Sequence, residues 1–281
     1  MKRIKRVTIV GVGLIGGSIS LALRRCRKSI EIVGVGRRAP SLRKAKQAAA
    51  LDSTTTDLAK GVQGAQLIVV CTPVNTIVER VREIASHASP GTLITDAGST
   101  KAEIVAALDK NLGPGARFIG SHPLAGDHRA GATHARADLF DGRTVVVTPT
   151  RASQASDVQQ LCDFWQLLGA KTLKMTARQH DQAVAATSHL PHLVAAALAS
   201  ATPEELDELI STGWLDTTRI AAADPELWTQ IFLSNRKCVL GSLKRLETNI
   251  TRLRTALERE QPAQLESLLK KAKRSRDAVG S

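Results

Sequence analysis

A chain of 281 residues with 43% hydrophobic and 23% charged residues is long enough for two ordinary domains, and its composition excludes a disordered or fibrous protein. Thirty-nine Lys and Arg against 26 Asp and Glu give a formal net charge of +13, which suits either nucleic acid or small polyanions. Aromatics make up only 2% and tyrosine is absent, so the stacking platforms of single-strand binding are scarce and the basic clusters at 2–6, 24–28 and 270–276 read as solvated faces.

From Arg6 to about Met175, short β-branched runs alternate with Ala- and Leu-rich stretches, the pattern of parallel strands joined by crossover helices. The predicted strands are Val7 to Val10, Glu31 to Val35, Leu67 to Cys71, Thr92 to Thr95, Arg117 to Gly120, Arg143 to Thr148 and Lys171 to Lys174. After Thr176 apolar residues recur at helical spacing through His180 to Ala199, Pro203 to Ser211, Asp224 to Arg254 and Pro262 to Ala272. Pro203 and Pro225 fit the first turn of a helix, where a missing N–H costs nothing. The fold expected is α/β: a Rossmann-type doubly wound sheet over 1–175, then an all-helical substrate and dimerisation domain over 176–281. The helices after Thr176 are too apolar to stand alone, which points to a homodimer.

No uninterrupted apolar run, Leu67 to Cys71 included, approaches the roughly 20 residues of a membrane-spanning helix. Gly11, Gly13, Gly16 and Gly17 break the apolar stretch behind the basic N-terminus, unlike a signal peptide. The expectation is a cytoplasmic enzyme with a small-molecule substrate and neither nucleic-acid nor membrane partners. Cys26, Cys71, Cys162 and Cys238 are widely spaced and read as reduced structural thiols, with no metal site.

Gly11-Val12-Gly13-Leu14-Ile15-Gly16 follows the first strand and opens a helix, the context in which this pattern binds a dinucleotide. Gly11 permits the tight turn, Gly13 admits the pyrophosphate and Gly16 lets helix and strand pack, while the N–H groups at Leu14 and Ile15 open the helix toward the phosphates. Thr72 and Pro73, just past the strand at Leu67 to Cys71, belong to the same cofactor-binding set. Twenty positions after Gly16, where a ribose-binding carboxylate marks NAD, stand Gly36, Arg37 and Arg38. Two guanidiniums without a carboxylate favour NADP, with NAD as the other option.

Three further segments carry polar groups. Asp96-Ala97-Gly98-Ser99-Thr100-Lys101 and Ser121-His122-Pro123-Leu124-Ala125-Gly126 follow strand ends, where α/β sheets bind ligands. In the helical half, Ser188-His189-Leu190-Pro191-His192 interrupts a helical pattern and Asp216-Thr217-Thr218-Arg219-Ile220-Ala221 precedes Trp228.

With these motifs in this order, the chain from Gly11 to about Arg236 resembles the prephenate/arogenate dehydrogenase family. The resemblance implies oxidative decarboxylation of prephenate or L-arogenate to 4-hydroxyphenylpyruvate or L-tyrosine, with hydride passing from ring C4 to NAD(P)+. It implies His122 as the base on the 4-hydroxyl, Ser99 hydrogen-bonding the same group, Arg219 on the ring carboxylate, and His189 and Trp228 beside the substrate, with His192 structural. An imidazole titrating near neutrality suits proton removal, and a guanidinium fork suits a carboxylate; His122 and Arg219 are expected to share a cleft. The chain departs from the family pattern after Gly126: many members carry an acidic residue two positions on, whereas here the run is Asp127-His128-Arg129. Asp127 is a candidate partner for the arogenate amino group. The rival readings are another two-domain dehydrogenase or imine reductase, whose proton-transfer residue would lie in the helical half, and a non-catalytic NADP-sensing regulatory protein.

Overall fold

Hydrophobic alternation with period two dictates the sheet. In β1 (Arg6–Val10) Val7 and Ile9 enter one core and Val10 the other; in β4 (Leu67–Val70) Leu67 and Val69 separate from Ile68 and Val70 in the same way. A computed structural model describes residues 4–26, 29–109, 112, 115–126, 129 and 131–280. The chain divides into two units, one ending at Asn235 and the other beginning at Arg236.

The first unit is built on a six-stranded parallel sheet in the order β3-β2-β1-β4-β5-β6, adding β2 (Glu31–Val35), β3 (Ser53–Thr55), β5 (Leu93–Asp96) and β6 (Arg117–Phe118). Helix α1 (Leu14–Cys26) contributes Ile19, Ala22 and Leu23 to one core, and α2 (Ala39–Ala48) contributes Ala45. Helices α3 (Leu58–Val62), α4 (Ile77–His87) and α5 (Ala102–Leu108) cover the opposite face through Leu58, Val62, Ile77, Val81, Ile84, Ile104 and Leu108. The strand order reverses between β1 and β4, and ligands of such sheets bind at that crevice, beyond the strand C-termini.

One predicted strand divides in two, and one strand was not predicted. The run Arg117 to Gly120 breaks at Ile119: β6 ends the first sheet, and β7 (Gly120–Pro123) starts a three-stranded sheet with β8 (Thr144–Thr148) and β9 (Lys171–Lys174). In that sheet β7 runs antiparallel to β8, so the strands up to Met175 are not all parallel. The short polar strand Ser53-Thr54-Thr55 has too few apolar residues to signal itself in sequence. Helix α6 (Ala155–Leu167) packs Leu161, Phe164 and Trp165 into the first core.

Helix α7 (Ala177–Val184) opens with a capping box: Thr176 Oγ1 accepts from Gln179 N, and Gln179 Oε1 accepts from Thr176 N. It continues through a π turn at Ala185–His189 into α8 (Leu190–Ala201), so the Ser188 to His192 segment widens the helix instead of interrupting it. The whole run Ala177–Ala201 is long and apolar enough to cross a membrane on length and composition, which amends the expectation drawn from uninterrupted apolar runs. Pro203 to Ser211 forms a 3₁₀ turn, Glu204–Leu209, followed by α9 (Thr212–Thr218), a 3₁₀ turn Arg219–Ala222 and α10 (Pro225–Ser234). Asp224 caps α10, its side chain accepting from Leu227 N, and Pro225 occupies the first turn. The second unit comprises α11 (Arg236–Glu258) and α12 (Pro262–Asp277), which pack on each other.

Candidate active site

At the β1/β4 crevice each glycine of the first motif has its own reason. Gly11 has φ +94°, and a Cβ there would sit 2.8 Å from the carbonyl of Cys71, so only glycine fits. At Gly16 a Cβ would collide with Gly11 O and with Ile9, 2.8 Å away. A Cβ at Gly13 would meet nothing within 4 Å, which leaves room over the helix N-terminus for a ligand phosphate, and the loop therefore fits a dinucleotide. Thr72 and Pro73 follow β4 beside Gly11, and the Thr76 hydroxyl lies 3.0 Å from Thr72 Oγ1. Arg37 and Arg38 are exposed after β2, and their guanidinium groups make no hydrogen bond or ion pair among the described residues. Burial pushes the Cys71 thiol upward, which keeps it protonated and inert.

The second cluster forms where β5 and β7 end. Asp96 and Lys101 are both fully buried and ion-paired to each other; Gly98 N donates to Asp96 Oδ2 at 2.9 Å, folding the Gly-Ser-Thr loop over the carboxylate. Desolvation lowers the Lys101 pKa against the pull of Asp96. Ser121 ties the two strands: its hydroxyl donates to Asp96 O at 2.7 Å, lies 2.9 Å from Thr95 Oγ1 and accepts from the Trp165 indole N–H at 3.1 Å. The next residue, His122, is partly exposed. Ser99 is half-buried in the loop between β5 and α5.

His122 Nδ1 lies 2.8 Å from His180 Nε2, and His180 Nδ1 lies 2.7 Å from Asp181 Oδ1. The Asp181 carboxylate also accepts the backbone N–H groups of Lys101 and Ala102, both at 2.8 Å. Burial holds the His122 pKa well below the ordinary value, with His180, Lys101 and His189 adding repulsion in that order. His122 is therefore neutral, and able to accept a proton, across the physiological range. Sequence reasoning missed His180 and Asp181, whereas the Asp96 to Lys101 segment was singled out and its two charged ends pair locally. No local pattern marks the first two, because their partners come from strand and loop segments far away in the chain.

The π turn explains how the helical half meets this cluster. Pro191 has no N–H, and its ring would crowd the carbonyl of Thr187 in a regular α-helix; a π turn relieves that crowding. It also changes the facing of the histidines. His180 and His189 are nine positions apart, which an unbroken α-helix would place about 180° apart, whereas the extra residue of a π turn reduces that to about 80°. Asn235 bridges the two ends of the turn: its Nδ2 donates to the backbone carbonyl of Asp181, the neighbour of His180, at 2.8 Å and lies 3.2 Å from His189 Nδ1.

His189 and His192 both meet Trp228 but differ in their other partners. His189, 1% exposed, is held by Asn235. His192 stacks on Trp228 with ring centroids 3.4 Å apart, hydrogen-bonds to the Ile220 backbone, and joins Ile220, Pro225, Trp228 and Phe232 in lining a cavity of about 240 Å³. Burial lowers both histidines to a pKa of about 4. Trp228 also meets the His189 ring edge-on, centroids 6.0 Å apart. Arg219 is exposed at the start of its 3₁₀ turn, near enough to His192 to add to its pKa depression. It makes no ion pair with Asp216. His122 and Arg219 do not touch, and neither lines the 240 Å³ cavity; His122 interacts with His189 and Arg219 with His192, and both of those rings meet Trp228.

A larger cavity, about 480 Å³, lies past the His-Pro-x-Ala-Gly segment, between Gly126, Arg136, Asp138, Asp141 and Arg143. Asp138 pairs with Arg136 and Asp141 with Arg25, and no candidate catalytic side chain reaches it. Asp127 falls outside the described residues. No group of three or more His, Cys, Asp or Glu side chains able to hold a metal occurs among the described residues.

A doubly wound sheet with a glycine-shaped phosphate crevice, followed by a helical segment carrying a buried imidazole cluster, defines a two-part nicotinamide-dinucleotide oxidoreductase. Residues 19–174 match the family model of the prephenate dehydrogenase nucleotide-binding domain and residues 176–271 that of the prephenate dehydrogenase dimerization domain. The chain belongs to the prephenate dehydrogenase family. It is similar to prephenate dehydrogenase of Lactococcus lactis, with 31% identity over 98% of this chain and 77% of the relative. Cyclohexadienyl dehydrogenase of Zymomonas mobilis is 30% identical over 98% of this chain and 96% of that one. The crystal structure of Aquifex aeolicus prephenate dehydrogenase, solved with hydroxyphenyl propionate and NAD+, superposes with a TM-score of 0.91 at 30% identity, covering 99% of both chains. The chain is thus a nicotinamide-dependent dehydrogenase acting on a small molecule.

Proposed function

We propose that the protein oxidises and decarboxylates prephenate or L-arogenate, with His122 as the base, and that NADP is its preferred cofactor. The observation that carries this reading is the neutral, partly exposed His122 imidazole beside the strand-end loops of a dinucleotide crevice. When bound, the nicotinamide accepts hydride from ring C4. His122 takes the proton of the 4-hydroxyl as that carbon becomes a carbonyl, so charge does not accumulate on the oxygen. Ser99, in the loop after β5, hydrogen-bonds the same hydroxyl and orients it. The ring carboxylate then leaves as carbon dioxide; its bonding pair enters the ring, and the phenolate oxygen recovers the proton held by His122. Arg219 holds the ring carboxylate, and His189 and Trp228 lie beside the substrate, with His192 stacked on Trp228 as structural support.

Two unpaired guanidiniums, Arg37 and Arg38, stand where a ribose carboxylate would otherwise be, which supports NADP. Asp127 favours the ammonium of arogenate over the keto group of prephenate. The domain boundary falls near Thr176, the reaction takes place in the cytoplasm, and the protein works as a homodimer. Support for the dimer is the apolar surface left by the single chain in the helical half, including Leu209 at 77% and Leu233 at 64% exposure. The test is an assay of both substrates against both cofactors at the reduced-nicotinamide absorbance. Activity with NADP at the lower KM is expected, and His122→Asn should remove most of kcat with little change in KM. No turnover in any of the four combinations would overturn the reading, and a lower KM for NAD would overturn the cofactor choice.

A further inference from the structure

The hydrogen bonds around His122 have a direction, and one group sets it. A carboxylate only accepts, and the Asp181 carboxylate is surrounded by three donors: the Lys101 and Ala102 backbone N–H groups and His180 Nδ1. His180 therefore carries its proton on Nδ1, and its Nε2 is left with the lone pair. That nitrogen is 2.8 Å from His122 Nδ1, so His122 must be the donor in this contact, with its own proton on Nδ1 and its lone pair on Nε2. The rings meet edge-on, 5.0 Å between centroids and 73° between planes, with a nitrogen of one aimed at a nitrogen of the other. His180 is completely buried and Asp181 is 1% exposed, so water does not compete for either.

From this geometry we infer that His180 and Asp181 are positioning residues, which act through His122 by holding it in the tautomer whose Nε2 is basic. The inference rests on the reading of His122 as the base of the reaction. Asp181 is itself fixed by structure that has nothing to do with substrate: the start of α5 through Lys101 and Ala102, and Asn235 through its backbone carbonyl. The tautomer is thereby set by the fold before any ligand arrives. An aspartate that fixes the tautomer of a catalytic histidine is the role played in the serine-hydrolase triad, where the wrong tautomer costs about 10⁴-fold in kcat; here a second histidine is interposed. When His122 takes up a proton, the imidazolium faces His180, with the carboxylate beyond it, while Lys101 and His189 oppose the charge.

The test is the full chain labelled with ¹⁵N-histidine, read by two-bond ¹H–¹⁵N correlation, with the His122 signals identified by their loss in His122→Asn. The wild type should show Nδ1–H at both His122 and His180; an Nε2–H tautomer at His122 overturns the inference whatever the variants do. In His180→Leu the His122 tautomer should become mixed and kcat should fall about 10²-fold with KM within about twofold, in keeping with the worth of general base catalysis. His180→Gln, whose side-chain oxygen can accept from His122 Nδ1, should restore the Nδ1–H tautomer and most of kcat. If His180→Leu leaves both tautomer and kcat unmoved, the positioning role is wrong. If instead the tautomer shifts but His122→Asn retains activity, the fault lies in the assignment of His122 as base.

Discussion

Arg219 and His192 make opposite demands on their setting. Arg219 is exposed and lies beside a neutral imidazole, so its charge is uncompensated within the described residues. An anionic ligand would supply the missing partner. Arg219→Ala should raise KM at least tenfold with a smaller effect on kcat; steady-state kinetics check this, and a fall confined to kcat would remove Arg219 as the carboxylate anchor. His189 and His192 have folded pKa values of about 4 against an ordinary 6.5. Between those values the unfolded chain binds more protons than the folded one, so stability is full above about pH 6.5 and declines as pH falls toward 4. His189, the more buried of the two, contributes a slope of up to about 1.4 kcal/mol per pH unit, and the more solvated His192 contributes less. Urea denaturation at pH 7, 6 and 5 should show the decline, and His189→Gln should flatten part of it.

Among the elements, the loop between β1 and α1 separates fold from ligand binding within a single motif. Gly16 has backbone and Ile9 against it, Gly11 has a left-handed φ, and Gly13 faces open space. Gly13→Ala should therefore leave the melting temperature within about 2 °C, since a change that buries nothing new costs little, yet weaken cofactor binding at least tenfold by placing a methyl where the pyrophosphate approaches. Gly16→Ala should lower the melting temperature as well, because Gly11 or Ile9 must move. Thermal melts alongside fluorescence titration with the reduced cofactor separate the two effects. The π turn is another device of this scale. Pro191 fits it, and its consequence is that Asn235 reaches both the Asp181 carbonyl, beside His180, and the His189 ring.

At the scale of the molecule, the apolar exposure of the helical half demands a partner. The run Ala177–Ala201 is apolar enough for a membrane, but it carries His180, Asp181 and His189, all buried within the protein, so its remaining apolar side is better matched to protein than to lipid. A second copy of the chain is the expected partner. Light scattering should report twice the 30.0 kDa of the single chain, constant on dilution to the micromolar range, and a concentration-independent single-chain mass would exclude it.

Local chemistry determined much of this protein in advance. Strand runs such as Glu31 to Val35 and Lys171 to Lys174, the glycine loop after β1, Pro225 at a helix start and the order of the polar motifs are legible because each depends on neighbours within a few residues. The break at Ile119, the second sheet with its antiparallel β7, and the packing of both His189 and His192 against Trp228 were decided only by tertiary structure. So was the line from His122 through His180 to Asp181, whose members lie up to 80 positions from the groups that orient them. The physical reason is range: propensity and turn chemistry act along the chain, whereas the direction of a buried hydrogen bond is set by whichever acceptor the packing brings within 3 Å.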